Sequence, residues 1–115
     1  MNELAQLHCS AVTSATPHLN KSDINQYINK LPGWQIYEKE GEPRLEKAFL
    51  FQDFNQAVVF TNHVAGVANE EDHHPAILTE WGKVTIAWWT HKIKGLSLND
   101  LIMAAKTDLL YKGAL

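Results

Sequence analysis

The sequence predicts one antiparallel sheet made of two β-hairpins, with helices packed on one of its faces, in the order α-β-β-α-β-β-α. Three observations carry that prediction: apolar residues recur at helical spacing in three stretches, apolar residues alternate with polar ones between them, and Gly- or Pro-containing turns separate the segments. Each helix has a single apolar stripe to bury, and one sheet face can receive all three.

The elements follow in order. Residues 1–20, rich in Ser, Thr and Ala, read as a flexible leader, and residues 21–115 as one folded domain. Ser22 is placed to cap a short helix with Ile24, Ile28 and Leu31 on one face, and Pro32-Gly33 stops it. Trp34 and Ile36 open the first hairpin, Glu40-Gly41-Glu42-Pro43 turns it, and Leu45, Phe49 and Phe51 continue it with an interruption at Lys47. Asp53 opens a long helix, with Gln56 at capping-box distance and a stripe of Phe54, Ala57, Val58, Thr61, Val64, Ala65 and Ala68. Pro75 disfavours helical geometry at His74, so the helix ends between Asn69 and Asp72. The second hairpin runs from Ala76 to Thr79, turns at Glu80-Trp81-Gly82, and returns from Lys83 to Thr90, with His91 ending its last strand. Ser97 begins a final helix carrying Leu98, Leu101, Ile102, Ala105 and Leu109.

A length of 115 residues with 45% hydrophobic and 20% charged residues suits a single domain with one core. The net charge of -3, with no run of Lys or Arg, argues against direct nucleic-acid binding. No apolar stretch approaches the roughly 20 residues that span a bilayer. Cys9 is the lone cysteine and Met1 to Asn20 lack the pattern of a secretory signal, so the expected compartment is the cytoplasm. The large aromatics Trp34, Phe51 and Trp89 suggest self-association through a sheet face or edge.

The chemistry concentrates in Asp72-His73-His74-Pro75, Thr90-His91 and the stretch from Gly95-Leu96-Ser97 to Asp100. Histidine exchanges protons near neutrality, and clustered imidazoles suit acid/base catalysis on a small heterocycle. A zinc site is the competing reading of three imidazoles and a carboxylate. Neighbouring residues in extended backbone point to opposite sides, so His73 and His74 are poorly placed to share an ion, and no H-x-H or H-E-x-x-H spacing occurs. Asp100 has two readings of equal standing, a functional carboxylate or the far end of a Ser97-x-x-Asp100 capping box. Trp81 is either a packing residue or a stacking platform for a flat ring. Gly95 marks unusual dihedrals or a close approach, and isolated His8, His18 and His63 read as structural.

These motifs resemble those of the pterin-4a-carbinolamine dehydratases, known in animals also as dimerisation cofactors of a homeodomain transcription factor. The likeness runs from Gly33-Trp34 through Phe49-x-Phe51-x-Asp53-Phe54-Asn55, Val64-Ala65 and Asp72-His73-His74-Pro75 to Trp81, Thr90-His91, Gly95-Leu96-Ser97 and Asp100. It implies an α+β fold, a four-stranded antiparallel sheet with three helices on one face, assembled as a homodimer or homotetramer. The implied reaction removes water from 4a-hydroxytetrahydropterin to give quinonoid dihydropterin, recycling the cofactor of aromatic amino acid hydroxylases. No metal or organic cofactor is expected. The resemblance assigns His73 and His91 to proton transfer and His74 to binding and polarising the pterin. Asp100 would orient a histidine and favour its charged form, while Asp72, Trp81, Trp89, Thr90, His91 and Lys92 would line the site. Four residues before His73 the family usually carries an ionisable residue, and this chain has Asn69, which can hydrogen-bond a substrate but cannot act as a base. A partner-binding role without catalysis, or action on another pterin such as one serving molybdopterin metabolism, are the alternatives.

Overall fold

The computed structural model describes residues 3–114. A 3-10 turn, Glu3–Gln6, precedes three helices and four strands: α1 (Lys21–Ile28), β1 (Gln35–Lys39), β2 (Glu42–Leu50), α2 (Phe54–Glu71), β3 (Ala76–Glu80), β4 (Lys83–Trp88) and α3 (Leu98–Ala114). The expected α-β-β-α-β-β-α order and the four-stranded antiparallel sheet are both present, with strand order β1-β2-β4-β3. Glu40 and Gly41 form the two-residue turn of the first hairpin, both with positive φ (54° and 79°), as a tight hairpin turn requires.

Register decides what is buried. Leu45 pairs with Trp88, Phe49 with Val84, and Ile77 with Ile86, so these side chains share one face. Leu45, Phe49, Val84, Ile86 and Trp88 are fully buried there beneath α2 and α3. From α2 come Ala57, Phe60, Val64 and Ala68, and from α3 Leu101, Ile102, Ala104 and Ala105. Phe60 belongs to the core although it was absent from the predicted stripe. Phe54, which was in it, is 49% exposed in the first turn.

Several local expectations are corrected. The cap of α1 is Asn20, whose Oδ1 accepts from the Asp23 amide at 2.8 Å while Asp23 Oδ2 accepts from the Asn20 amide at 3.2 Å. This reciprocal pair starts the helix two residues earlier than a Ser22 cap would. Asp53 caps α2, but Gln56 Oε1 accepts from the Gln52 amide, one residue before the cap. β4 ends at Trp88, and His91 lies instead in a 3-10 turn, His91–Ile93, closed by an isolated bridge between Thr90 and Gly95.

Lys47 interrupts the apolar pattern for a physical reason. Its stem crosses the core edge, its ammonium lies 5.0 Å from the Phe49 ring centroid, and it donates to Asp108 Oδ1 at 2.8 Å and to the Pro32 carbonyl at 3.0 Å. Asp108 also accepts from Trp34 Nε1. The aromatics that suggested self-association are sheltered within one chain: Trp34 is buried, Phe51 packs on Phe60 and Tyr111, and Trp89 lies under the Arg44 guanidinium at 3.7 Å. Exposed apolar surface falls elsewhere, on the uncovered sheet face at Leu50 and Leu78 and at the hairpin tip, Trp81.

Residues 3–20, read from sequence as part of a leader, lie on the body. Leu4 and Ala5 join the core cluster, and the backbone amide of Leu19 donates to the Leu96 carbonyl at 2.8 Å.

Candidate functional site

The end of α2 creates the site. Asp72 adopts the left-handed conformation (φ 52°, ψ 44°), which a short polar side chain tolerates better than most, and its amide reaches the Ala68 and Asn69 carbonyls. The chain then extends into Pro75 and β3, so consecutive side chains diverge. His73 turns inward and is 6% exposed, whereas His74 stays at the surface.

His73 Nε2–H donates to Asp100 Oδ1 at 2.6 Å, and its ring stacks on Trp88 with centroids 5.9 Å apart and an interplanar angle of 9°. Asp100 is completely buried in the first turn of α3. Its second oxygen, Oδ2, accepts from Thr90 Oγ1 at 2.7 Å and from the Ser97 amide at 2.9 Å. The capping geometry of Asp100 is thus present, with one oxygen on the Ser97 amide ahead of α3 while the other holds a histidine. A buried carboxylate needs such a set of donors, because an ionised group without them is costly to desolvate.

The other two histidines are tethered differently. His74 Nε2–H donates to Asn69 Oδ1 at 3.0 Å across the last turn of α2. His91 Nδ1–H donates to Glu42 Oε1 at 3.1 Å, with the His91 side chain 79% exposed and that of Glu42 12% exposed. Each imidazole is thus fixed through one nitrogen by a separate oxygen, leaving Nδ1 of His73, Nδ1 of His74 and Nε2 of His91 for other partners. Three histidines with three different partners form an orienting arrangement.

The remaining expected site residues are dispersed. Thr90 is buried, its hydroxyl committed to Asp100 and 2.7 Å from Ser97 Oγ. Trp89 is half-buried under Arg44, and Lys92 is exposed in the 3-10 turn. Asp72 is exposed at the helix cap. Trp81 sits at the tip of the β3–β4 hairpin, the far end from His73 and His74, with 73% of its surface exposed. A five-residue strand is about 14 Å from first to last residue, so Trp81 does not join the histidines within this chain.

Glu42, Ser97 and Trp88 were not predicted as site residues. Glu42 carried no signal, since its role depends on the β1–β2 turn meeting the 3-10 turn. Ser97 was legible as half of a capping motif. Gly95 is explained by close approach: a Cβ there would stand 2.7 Å from His18 Cδ2. His18 Nε2–H in turn donates to the Ile93 carbonyl.

Fold and site together define a helix-backed antiparallel sheet that presents three tethered imidazoles and a buried carboxylate. Residues 17–110 match the family model described as pterin 4 alpha carbinolamine dehydratase, and the chain belongs to that family, one of dehydratases. A relative from Marinobacter nauticus is 50% identical over 111 residues, spanning 96% of this chain and all of its own. Another, from Microcystis aeruginosa, is 48% identical over 112 residues and 97% of each chain. Both carry the name "Putative pterin-4-alpha-carbinolamine dehydratase". Among solved structures, a transcriptional coactivator/pterin dehydratase from Brucella melitensis is similar, with a TM-score of 0.73, 30% identity, and coverage of 82% of this chain and 98% of its own. A pterin dehydratase-like protein described as a RuBisCO assembly factor in the alpha-carboxysome gives a TM-score of 0.58 at 25% identity, over 69% and 89% of the two chains.

Proposed function

We propose that this chain dehydrates a 4a-hydroxytetrahydropterin to quinonoid dihydropterin and water by histidine general acid/base catalysis. The observation that carries the reading is the set of three imidazoles, each oriented through one ring nitrogen. Hydroxide is a poor leaving group, so a proton must reach the 4a-oxygen as the C–O bond breaks, while the proton on the adjacent ring nitrogen is removed. His73 and His91 exchange those two protons, through Nδ1 and Nε2 respectively. Asp100 accepts from Nε2–H of His73 and so fixes that ring's tautomer and plane. His74 binds and polarises the pterin, and Asn69 orients it without carrying charge.

The physiological role follows from the substrate: recycling the tetrahydropterin of aromatic amino acid hydroxylases in the cytoplasm. No helix among the described residues is long and apolar enough to cross a membrane. Leu50 and Leu78, 66% and 58% exposed on the uncovered sheet face, support assembly as a homodimer or homotetramer. Replacing both His73 and His91 by Ala should abolish catalysed dehydration in a protein that remains folded, and undiminished turnover would remove both residues from the reaction.

A second reading is a partner-binding role of the kind named for the two structural neighbours. The exposed Leu50, Leu78 and Trp81 favour it, since they lie apart from the histidines. Where that role accompanies catalysis, the histidine double variant would lose dehydration and keep any partner; where it replaces catalysis, wild type itself would not accelerate dehydration.

A further inference from the structure

The segment ahead of α1 touches both sides of the His73–Asp100 bond. Glu71, the last residue of α2 and two before His73, accepts the Cys9 amide at 2.7 Å on Oε1 and His8 Nδ1–H at 2.8 Å on Oε2. Asn99, the neighbour of Asp100 and itself 6% exposed, engages Ser10 twice: Oδ1 accepts from the Ser10 amide at 3.0 Å, and Nδ2 donates to the Ser10 carbonyl at 2.8 Å. Farther along, Leu19 and His18 hold the Leu96 and Ile93 carbonyls in the loop that joins Thr90 to Ser97. The segment is anchored at its start by the buried Leu4 and Ala5, and the Ala5 carbonyl accepts from Lys106 Nζ at 2.9 Å.

Two consecutive residues, Cys9 and Ser10, thereby span from the end of α2 to the start of α3. Consecutive Cα atoms stand about 3.8 Å apart, so this bridge is short and stiff. It crosses the same gap that His73 and Asp100 close at 2.6 Å. Catalytic groups perform only when held to within a fraction of an ångström, and an error of about 1 Å can cost about 100-fold in rate. Residues 4–16 also precede the stretch matched by the family model.

We infer that residues 4–19 form a strap that sets the separation of His73 and Asp100, with Asn99 as a positioning residue for the proton transfer. This rests on the dehydratase reading for its effect on rate, but the strap's hold on His73 can be measured without turnover. The experiment compares full-length wild type, Asn99→Ala and Asn99→Asp, with Thr13→Ala as a control, because Thr13 bonds only within the strap. Three quantities are read: the rate of Cys9 alkylation by iodoacetamide, the far-downfield proton resonance of the His73–Asp100 hydrogen bond, and kcat and KM separately. Cys9 reports strap docking because burial, with Glu71 and Asp100 nearby, pushes its thiol up to about 12.

Asn99→Ala should speed alkylation, shift or broaden the His73 resonance, and lower kcat about tenfold while KM stays within about twofold. Asn99→Asp keeps the acceptor for the Ser10 amide and should lie between wild type and the alanine variant. It also decides the matter if the alanine variant fails to fold. Faster alkylation with an unchanged His73 resonance and unchanged kcat would overturn the inference and leave the strap merely structural. A wild type without dehydratase activity would defeat the functional reading alone, and the His73 resonance would still decide whether the strap positions the pair.

Discussion

Asp100 is the residue on which the site depends. It is fully buried and its two oxygens serve three donors from three places in the chain, His73, Thr90 and the Ser97 amide. Asp100→Asn retains the size of the side chain but replaces an acceptor oxygen with a donor, so His73 loses its tautomer-fixing partner. Turnover should fall about 100-fold or more with a modest loss of Tm, and near-wild-type turnover would show that His73 needs no orientation. Asp100→Ala should cost about 3 kcal/mol in denaturant unfolding, because buried donors are left unpaired. Gly95 supplies an independent test of local geometry. A methyl group there meets the His18 ring at 2.7 Å, so Gly95→Ala should destabilise by about 1 kcal/mol. The loss should be non-additive with His18→Ala, and strict additivity in the double-mutant cycle would contradict the contact. At this scale the sequence singled out the candidate residues but not what holds them. His73 and Asp100 are separated by 27 positions and His91 and Glu42 by 49, and no local spacing encodes pairs so distant.

Elements were more legible than their partners. Hydrophobic periodicity located all three helices and both hairpins, because one-sided burial writes a period into the sequence. The misplacements have separate causes. Asn20 and Ser22 are both good caps, and only the reciprocal bond with Asp23 selects Asn20. Phe60 lies beside the predicted stripe and is buried because α2 faces both the sheet and α3. The segment before α1 has a polar, turn-rich composition, which describes a loose leader equally well as a docked strap. Its docking depends on Glu71, whose carboxyl is held below the ordinary 4.5, first by the Cys9 amide and then by His8. A lowered carboxyl value means that the ionised form is the bound form. The Glu71 contribution to docking is therefore at full strength above the ordinary glutamate range and is lost as pH falls through the lowered value. The Cys9 amide proton, followed by NMR, should titrate with a midpoint below 4.5, and a midpoint at or above 4.5 would contradict the contact.

For the whole molecule, one sheet face is closed by helices and the other is open. The closed face holds a core in which Phe49, Phe60 and Tyr111 meet edge or tilted, with centroids 4.9 to 5.8 Å apart. Phe60→Ala should lower stability by about 3–5 kcal/mol and test that packing as a unit. The open face carries Leu50 and Leu78, and we expect wild type to sediment as a dimer or larger assembly. Leu50→Lys with Leu78→Lys should reduce it to the mass of one chain. A wild type that sediments as a monomer at every concentration would remove that face from any assembly. The proposed dehydration rests on family membership and on three tethered imidazoles. Its most direct test is stopped-flow absorbance of freshly generated 4a-hydroxytetrahydropterin, with and without the wild-type protein. Accelerated decay to quinonoid dihydropterin, proportional to protein concentration, is the expected result, and decay at the buffer rate in the presence of folded protein would contradict it.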